Sequence, residues 1–333
     1  MVLLDQSLRN AVARSLIDRQ WVQAAADATS AGHHVDCRHG GAKCAVKAGQ
    51  EDEAGNMGEL ATNDRVRLTY RDSGGDGVPL VMLHGWGQTQ EMFRHQLDGL
   101  APNRRVITLD LRGHGVSEKP RHGYRIARLS RDVLDLVDHL QLDRFDALGW
   151  SMGASVWWSF IDQYGTSRIR RFVAVDQPAA VAAVPWLTPE EQRDSGAIFD
   201  VAGLLELGAA LAGPDSEQVR DDFVRSMFSG DPDRDLLAFV AAEIKSTPPH
   251  AGVPLLYDHC AQDWRDVLPR IDVPTLVIGC EGSHVSPASQ QFIAGRIPGA
   301  RLHVFPSSVA SSHFPFLENP PAFNAVVETF LSE

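Results

Sequence analysis

Residues 145–164 read Phe145-Asp146-Ala147-Leu148-Gly149-Trp150-Ser151-Met152-Gly153-Ala154-Ser155-Val156-Trp157-Trp158-Ser159-Phe160-Ile161-Asp162-Gln163-Tyr164. A short apolar run, Phe145–Leu148, gives way to Gly-x-Ser-x-Gly, and a helical pattern follows over Gly153–Tyr164. A serine at so sharp a strand-to-helix turn must take unusual backbone dihedrals, and its neighbours must be small to avoid clashes. The turn also points the first amides of the new helix at any negative charge developing beside the serine. This context, which a bare Gly-x-Ser-x-Gly match lacks, makes Ser151 a candidate nucleophile.

Working outward, Val66-Arg67-Leu68-Thr69-Tyr70 alternates as a half-buried strand should. Further strands are expected at Leu80–Leu83, Val106–Leu109, Phe172–Val175, Thr275–Ile278 and Leu302–Phe305, with helical patterns such as Arg128–Leu140 between them. Strands alternating with helices imply an α/β fold with a mostly parallel sheet covered on both faces. The rhythm stops between Ala179 and Gln262, which reads as several helices with no strand. Such an insertion is expected to form a helical cap over the ligand site. Residues 1–57 read as a poorly structured extension, with Met57 a conceivable start, and 58–333 as the catalytic domain. His33, His34, Cys37, His39 and Cys44 cluster in the extension, but their spacing matches no known metal geometry.

Three more motifs follow strands. His84-Gly85-Trp86-Gly87 follows Leu80–Leu83. Asp110-Leu111-Arg112-Gly113-His114-Gly115-Val116-Ser117 follows Val106–Leu109. Ser311-Ser312-His313-Phe314-Pro315-Phe316 follows Leu302–Phe305. Together with Gly149–Gly153 they resemble the α/β-hydrolase superfamily, and within it the esterases and non-haem haloperoxidases (perhydrolases), over about residues 58–333. The resemblance implies Ser151 as nucleophile, His313 as general base and an oxyanion hole made by the backbone amides of Trp86 and Met152. It gives His114 a structural role. The family's usual pattern ends the strand Thr275–Ile278 with Gly-x-x-Asp, but Ser283 stands where that aspartate would. Asp176, ending Phe172–Val175, is the preferred triad acid, with Glu281 the fallback. Acyl transfer by such a set needs neither metal nor organic cofactor.

Trp86 and Trp150 flank the expected reaction centre and are expected to line the substrate pocket. Trp157 and Trp158 read as core. The cap adds Trp186, Phe199, Phe223, Phe228 and Phe239. No basic cluster marks a phosphate or carboxylate site, so the expected substrate is a neutral, largely apolar ester or lactone. A rival on the same fold is cofactor-free dioxygenation of a heteroaromatic compound, and a third reading is a non-catalytic receptor. Haloalkane dehalogenases and epoxide hydrolases need an aspartate in place of Ser151. The net charge of −12 argues against nucleic acid and anionic membranes as partners, leaving a small molecule. No run of 18 apolar residues suggests membrane insertion. Four cysteines are too few for a disulfide framework, which with the amphipathic first residues favours a cytoplasmic location. Oligomeric state has no signal in the sequence.

Overall fold

Leu80–Leu83 and Val106–Leu109 carry no charge, and a strand of that kind needs cover on both faces. Every side chain in both is fully buried. The computed structural model of the chain describes residues 56–333. It opens with β1 (Asn56–Ala61), β2 (Arg67–Asp72) and β3 (Leu80–Leu83). Then come α1 (Arg94–Leu100), β4 (Val106–Leu109), α2 (Ile126–His139), β5 (Phe145–Trp150), α3 (Met152–Tyr164) and β6 (Ile169–Val175). The insertion holds a two-residue strand β7 (Ala182–Ala183), α4 (Pro189–Ser195), a second short strand β8 (Phe199–Asp200), α5 (Val201–Ala212), α6 (Ser216–Ser226), α7 (Arg234–Ile244) and α8 (Pro249–Cys260). The chain finishes with β9 (Thr275–Cys280), α9 (Pro287–Arg296), β10 (Arg301–Phe305), α10 (Pro315–Glu318) and α11 (Pro320–Leu331).

Eight strands form one sheet in the order β1-β2-β4-β3-β5-β6-β9-β10. β2 is antiparallel to both its neighbours, and all other pairs are parallel. This is the α/β-hydrolase architecture that the motifs implied. Four expected strands run longer, β5 to Trp150, β10 from Arg301, and β6 and β9 by more than their patterns suggest. β6 begins at Ile169 because Arg170 is accommodated by Asp146 of β5 at 2.6 Å, which hides the strand behind two arginines. β9 runs on to Cys280, whose thiol is buried.

Two boundaries move. Asn56 and Met57 belong to β1, paired with Asp72 and Arg71 of β2, so the described fold starts just inside the expected extension. Residues 1–55, with the His33–Cys44 cluster, lie outside the described residues. The insertion is helical as expected except for β7 and β8, which pair with each other as a parallel ribbon of two residues each. The expectation of no strand there is therefore corrected: Val181 O accepts the amides of both Ile198 and Phe199, drawing the two segments together.

The topology fixes where a ligand can sit. From β3 the chain crosses to β4 on one side, and from β5 it crosses to β6 on the other. Crevices at such switch points, outside the carboxyl ends of the strands, are where open α/β sheets bind ligands. The register aligns these ends: Leu83 lies beside Gly149, Trp150 beside Val175, and Val175 beside Ile278. The residues that follow β3, β5, β6 and β9 therefore emerge along one edge. Beneath it Trp157 and Trp158 are wholly buried on α3, as core.

Candidate active site

Ser151 sits between β5 and α3 with φ 53° and ψ −128°. A non-glycine residue at such dihedrals is strained, and the surroundings must hold it there. Its amide donates to Val175 O at 2.9 Å. The flanking glycines have physical reasons. A Cβ on Gly149 would lie 2.5 Å from the backbone of Gly153 and Ala154, and one on Gly153 would lie 2.1 Å from Leu83 O. A Cβ on Gly85 would lie 3.1 Å from Ser151 Cβ, so that glycine lets the His84–Gly87 turn press against the serine.

The amides of Trp86 and Met152 have no hydrogen-bond acceptor among the described residues. Met152 is the first residue of α3, where an amide has no partner within the helix. Two buried histidines hold the neighbouring loops. His114 Nε2 accepts the Gly87 amide at 3.1 Å, and His84 Nε2 accepts the Leu111 amide at 3.1 Å. Each ring's Nδ1–H reaches a carbonyl, of Arg112 and Gly85 respectively. His114 thus braces the turn that carries Trp86.

His313 is 3 % exposed and its Nδ1 lies 2.7 Å from Asp176 Oδ2. Its amide donates to Met227 O just past α6, and its carbonyl accepts the Trp150 indole N–H at 2.8 Å. Asp176 is fully buried at φ 49°, at the end of β6. Ser283 Oγ donates to the same Oδ2 at 2.5 Å. Burial pushes the His313 ring toward its neutral form, the form able to accept a proton. Burial also raises Asp176, against the Ser283 hydroxyl and the field of His284, which favour its carboxylate. Among the described residues no hydrogen bond joins Ser151 Oγ to His313 Nε2. Such contacts tighten when substrate enters.

Glu281 stands elsewhere. It is exposed, and its Oε2 accepts the Ser307 amide at 2.9 Å. Trp150 is corrected as a pocket residue. It is 1 % exposed, with its ring against His313, Phe314 and Phe316, so it buttresses the histidine loop from the core. The cause is the strand period, which turns the residue before Ser151 to the face opposite the serine. Trp86 does border a cavity, shared with Gly87, Leu211, Ile244 and Val253. Its indole N–H donates to Gly252 O, and its ring meets Phe223 edge-on.

Two residues near the site had no signal in the sequence. The His284 ring centroid lies 4.5 Å from that of His313, brought there by the loop after β9. Arg220, buried on α6, borders the Trp86 cavity. A single arginine on an amphipathic cap helix is indistinguishable in sequence from a solvated one. Among the described residues no group of three or more His, Cys, Asp or Glu side chains could hold a metal ion, and no helix is long and apolar enough to cross a membrane.

Residues 78–320 match the family model described as alpha/beta hydrolase fold. The chain is 27 % identical over 260 residues to the non-heme chloroperoxidase CPO-A1 of Kitasatospora aureofaciens, covering 74 % of this chain and 90 % of that protein. A hydrolase from Pseudomonas aeruginosa PA01 superposes with a TM-score of 0.69 at 31 % identity, over 84 % of this chain and all of that one. The esterase RhEst1 from Rhodococcus sp. ECU1013 superposes with a TM-score of 0.71 at 25 % identity, over 83 % of this chain and 98 % of the esterase.

Proposed function

The chain belongs to the alpha/beta hydrolase fold family, and from that premise we propose that it is a serine hydrolase cleaving a carboxylic ester or lactone. The observation that carries the reading is the 2.7 Å contact of Asp176 with His313 Nδ1 on the edge where Ser151 stands strained at a helix N-terminus. Ser151 Oγ attacks the carbonyl carbon while His313 Nε2 takes its proton. Asp176 holds the ring with Nδ1–H toward the carboxylate and stabilises the imidazolium. The free amides of Trp86 and Met152 receive the oxyanion. The tetrahedral adduct collapses to an acyl-enzyme as His313 returns the proton to the leaving alkoxide. Water, activated by the same ring, then releases the acid.

The intact Gly149–Gly153 turn, with Ser151 held at φ 53°, favours hydrolysis over the rival, cofactor-free dioxygenation. A panel of p-nitrophenyl esters of graded chain length on the wild type and Ser151→Ala tests the proposal. Ser151→Ala should lose on the order of 10⁴ or more in kcat with the fold intact. A fluorophosphonate should label the wild type once and the variant not at all. Near-wild-type hydrolysis by Ser151→Ala, or oxygen uptake with heteroaromatic substrates in place of ester cleavage, would refute it.

A further inference from the structure

Just past α6 the cap sends Met227-Phe228-Ser229 onto the loops that carry His313 and the donor to Asp176. Met227 O accepts the His313 amide at 3.3 Å. The buried Phe228 ring packs on Phe314, with centroids 4.5 Å apart. Ser229 Oγ lies 2.5 Å from Gly282 O and 3.0 Å from Ser311 O. These carbonyls belong to two different loops. Gly282 precedes Ser283, whose hydroxyl donates to Asp176, and Ser311 stands shortly before His313.

One hydroxyl proton is thus shared between two carbonyl oxygens, and among the described residues no other donor reaches either. Two oxygens of like partial charge that face one point move apart unless a donor stands between them. The approach also needs a residue without a side chain: a Cβ on Gly282 would lie 2.7 Å from Ser311 O and 2.9 Å from Ser229 Oγ. Each loop has anchors of its own. Glu318 Oε2 accepts the Ser311 and Ser312 amides, and Phe305 O accepts the Glu281 amide. Ser229 is where the cap takes hold of both. The loop it grips on the β9 side runs on through Ser283 to His284, whose ring lies 4.5 Å from that of His313. One turn before Met227, Phe223 of α6 packs against Trp86. A single cap helix therefore touches the turn that carries the Trp86 amide and, at its end, the mount of the base.

We propose that Ser229 is a positioning residue of the reaction: it pins the loop of His313 to the loop of Ser283, so that the cap, through the end of α6, sets the alignment of His313 with Asp176. This rests on the serine hydrolase reading for its chemistry, but the placement of the His313 ring can be read without turnover. Ser229 acts through the two loops, not on substrate, so its loss should lower kcat and leave KM nearly unchanged.

The experiment compares wild type, Ser229→Ala, Ser229→Thr and Ser226→Ala on a p-nitrophenyl ester, with circular dichroism to check folding. Ser229→Ala should lose about 10- to 100-fold in kcat with KM within about threefold, the scale of a misplaced catalytic group. Ser229→Thr keeps the hydroxyl and should recover at least about fivefold of that loss. Ser226 Oγ donates only to Phe223 O in its own helix, so Ser226→Ala should stay within about threefold of wild type. In parallel, the low-field proton resonance of His313 Nδ1–H, assigned by its loss in His313→Gln, should be sharp in wild type and Ser226→Ala but broadened or displaced upfield in Ser229→Ala. A folded Ser229→Ala with kcat within threefold of wild type, a change confined to KM, a loss that Ser226→Ala or Ser229→Thr shares in full, or an unmoved His313 resonance overturns the proposal. If the resonance moves in Ser229→Ala alone yet the wild type cleaves no ester, the hydrolase reading fails while the placement of His313 by Ser229 stands. If esters are cleaved and neither kcat nor the resonance responds to Ser229→Ala, the reverse holds.

Discussion

Replacing Asp176 by Asn changes one atom and tests how the site holds its base. In the folded protein Oδ2 accepts from His313 Nδ1 and from Ser283 Oγ. Oδ1 is buried and has no hydrogen-bond partner among the described residues, while the Cys280 backbone amide favours the carboxylate. An asparagine must choose. With its NH₂ at the Oδ1 position, both N–H groups are buried with no acceptor to receive them. With its NH₂ at the Oδ2 position, the Ser283 hydroxyl can rotate to accept, but His313 Nδ1 must then accept too. That forces the proton onto Nε2, where the base should be empty. The second orientation satisfies more buried groups and is the one expected. The loss is then of tautomer as well as charge, so kcat should fall by about 10³–10⁴, or roughly 4–5.5 kcal/mol of transition-state stabilisation. In the proposed triad Asp176 touches no substrate, so KM should stay within about threefold. Glu281→Gln, whose carboxylate only accepts the Ser307 amide, should leave kcat within about threefold of wild type by the same reasoning. Steady-state kinetics on the best p-nitrophenyl ester, with circular dichroism to check folding, decides the matter. A folded Asp176→Asn that keeps kcat within tenfold, or a Glu281→Gln that loses as much, would refute the argument.

Two other outcomes are expected. Moving the acid, as Asp176→Ser with Ser283→Asp, should regain at least about tenfold in kcat over Asp176→Ser alone, since residue 283 already reaches the atom that contacts His313; a double variant no better than the single shows that the β9 loop cannot present a carboxylate. Stability should fall between pH 7.5 and 5: burial lowers His84 to about 4 and His114 to about 3, and a lowered folded-state value means the unfolded chain binds the proton first as pH drops below 6.5. Each ring then contributes a loss of up to about 1.4 kcal/mol per unit below that point, or roughly 2 kcal/mol at pH 5, and a urea midpoint unchanged across this range would contradict the burial argument.

What the sequence made legible was whatever a local pattern encodes. Leu80–Leu83 and Val106–Leu109 were bounded to the residue, because an uncharged four-residue run has one stable home in a two-face-covered sheet. The turn at Ser151 was legible because its glycines are demanded by backbone contacts a few residues away. The start of β6 was not, since the partner that makes Arg170 tolerable, Asp146, lies 24 residues upstream. The pocket was read least well. Trp150 and Trp86 look alike in their motifs, but one faces Phe314 and Phe316 and the other the cap. His284 comes beside His313 only through tertiary placement, and no spacing announces it.

In the proposed triad, the acid's position follows from the sheet. β6 and β9 are parallel neighbours, with Val175 beside Ile278, so side chains leaving their carboxyl ends converge. A carboxylate from either strand can approach the same imidazole edge, and the ring requires only one. The Ser283 hydroxyl, 2.5 Å from Asp176 Oδ2, is direct evidence of that convergence. With the charge on β6, residue 283 is free to be a donor, which steadies the carboxylate without adding a second negative charge to a buried site. An aspartate at both positions would set two carboxylates within about 3 Å of each other, and one would hold its proton at neutral pH. Serine at 283 and aspartate at 176 are therefore one arrangement, not two independent residues. The exchange variant asks whether the sheet edge or the particular loop dictates it.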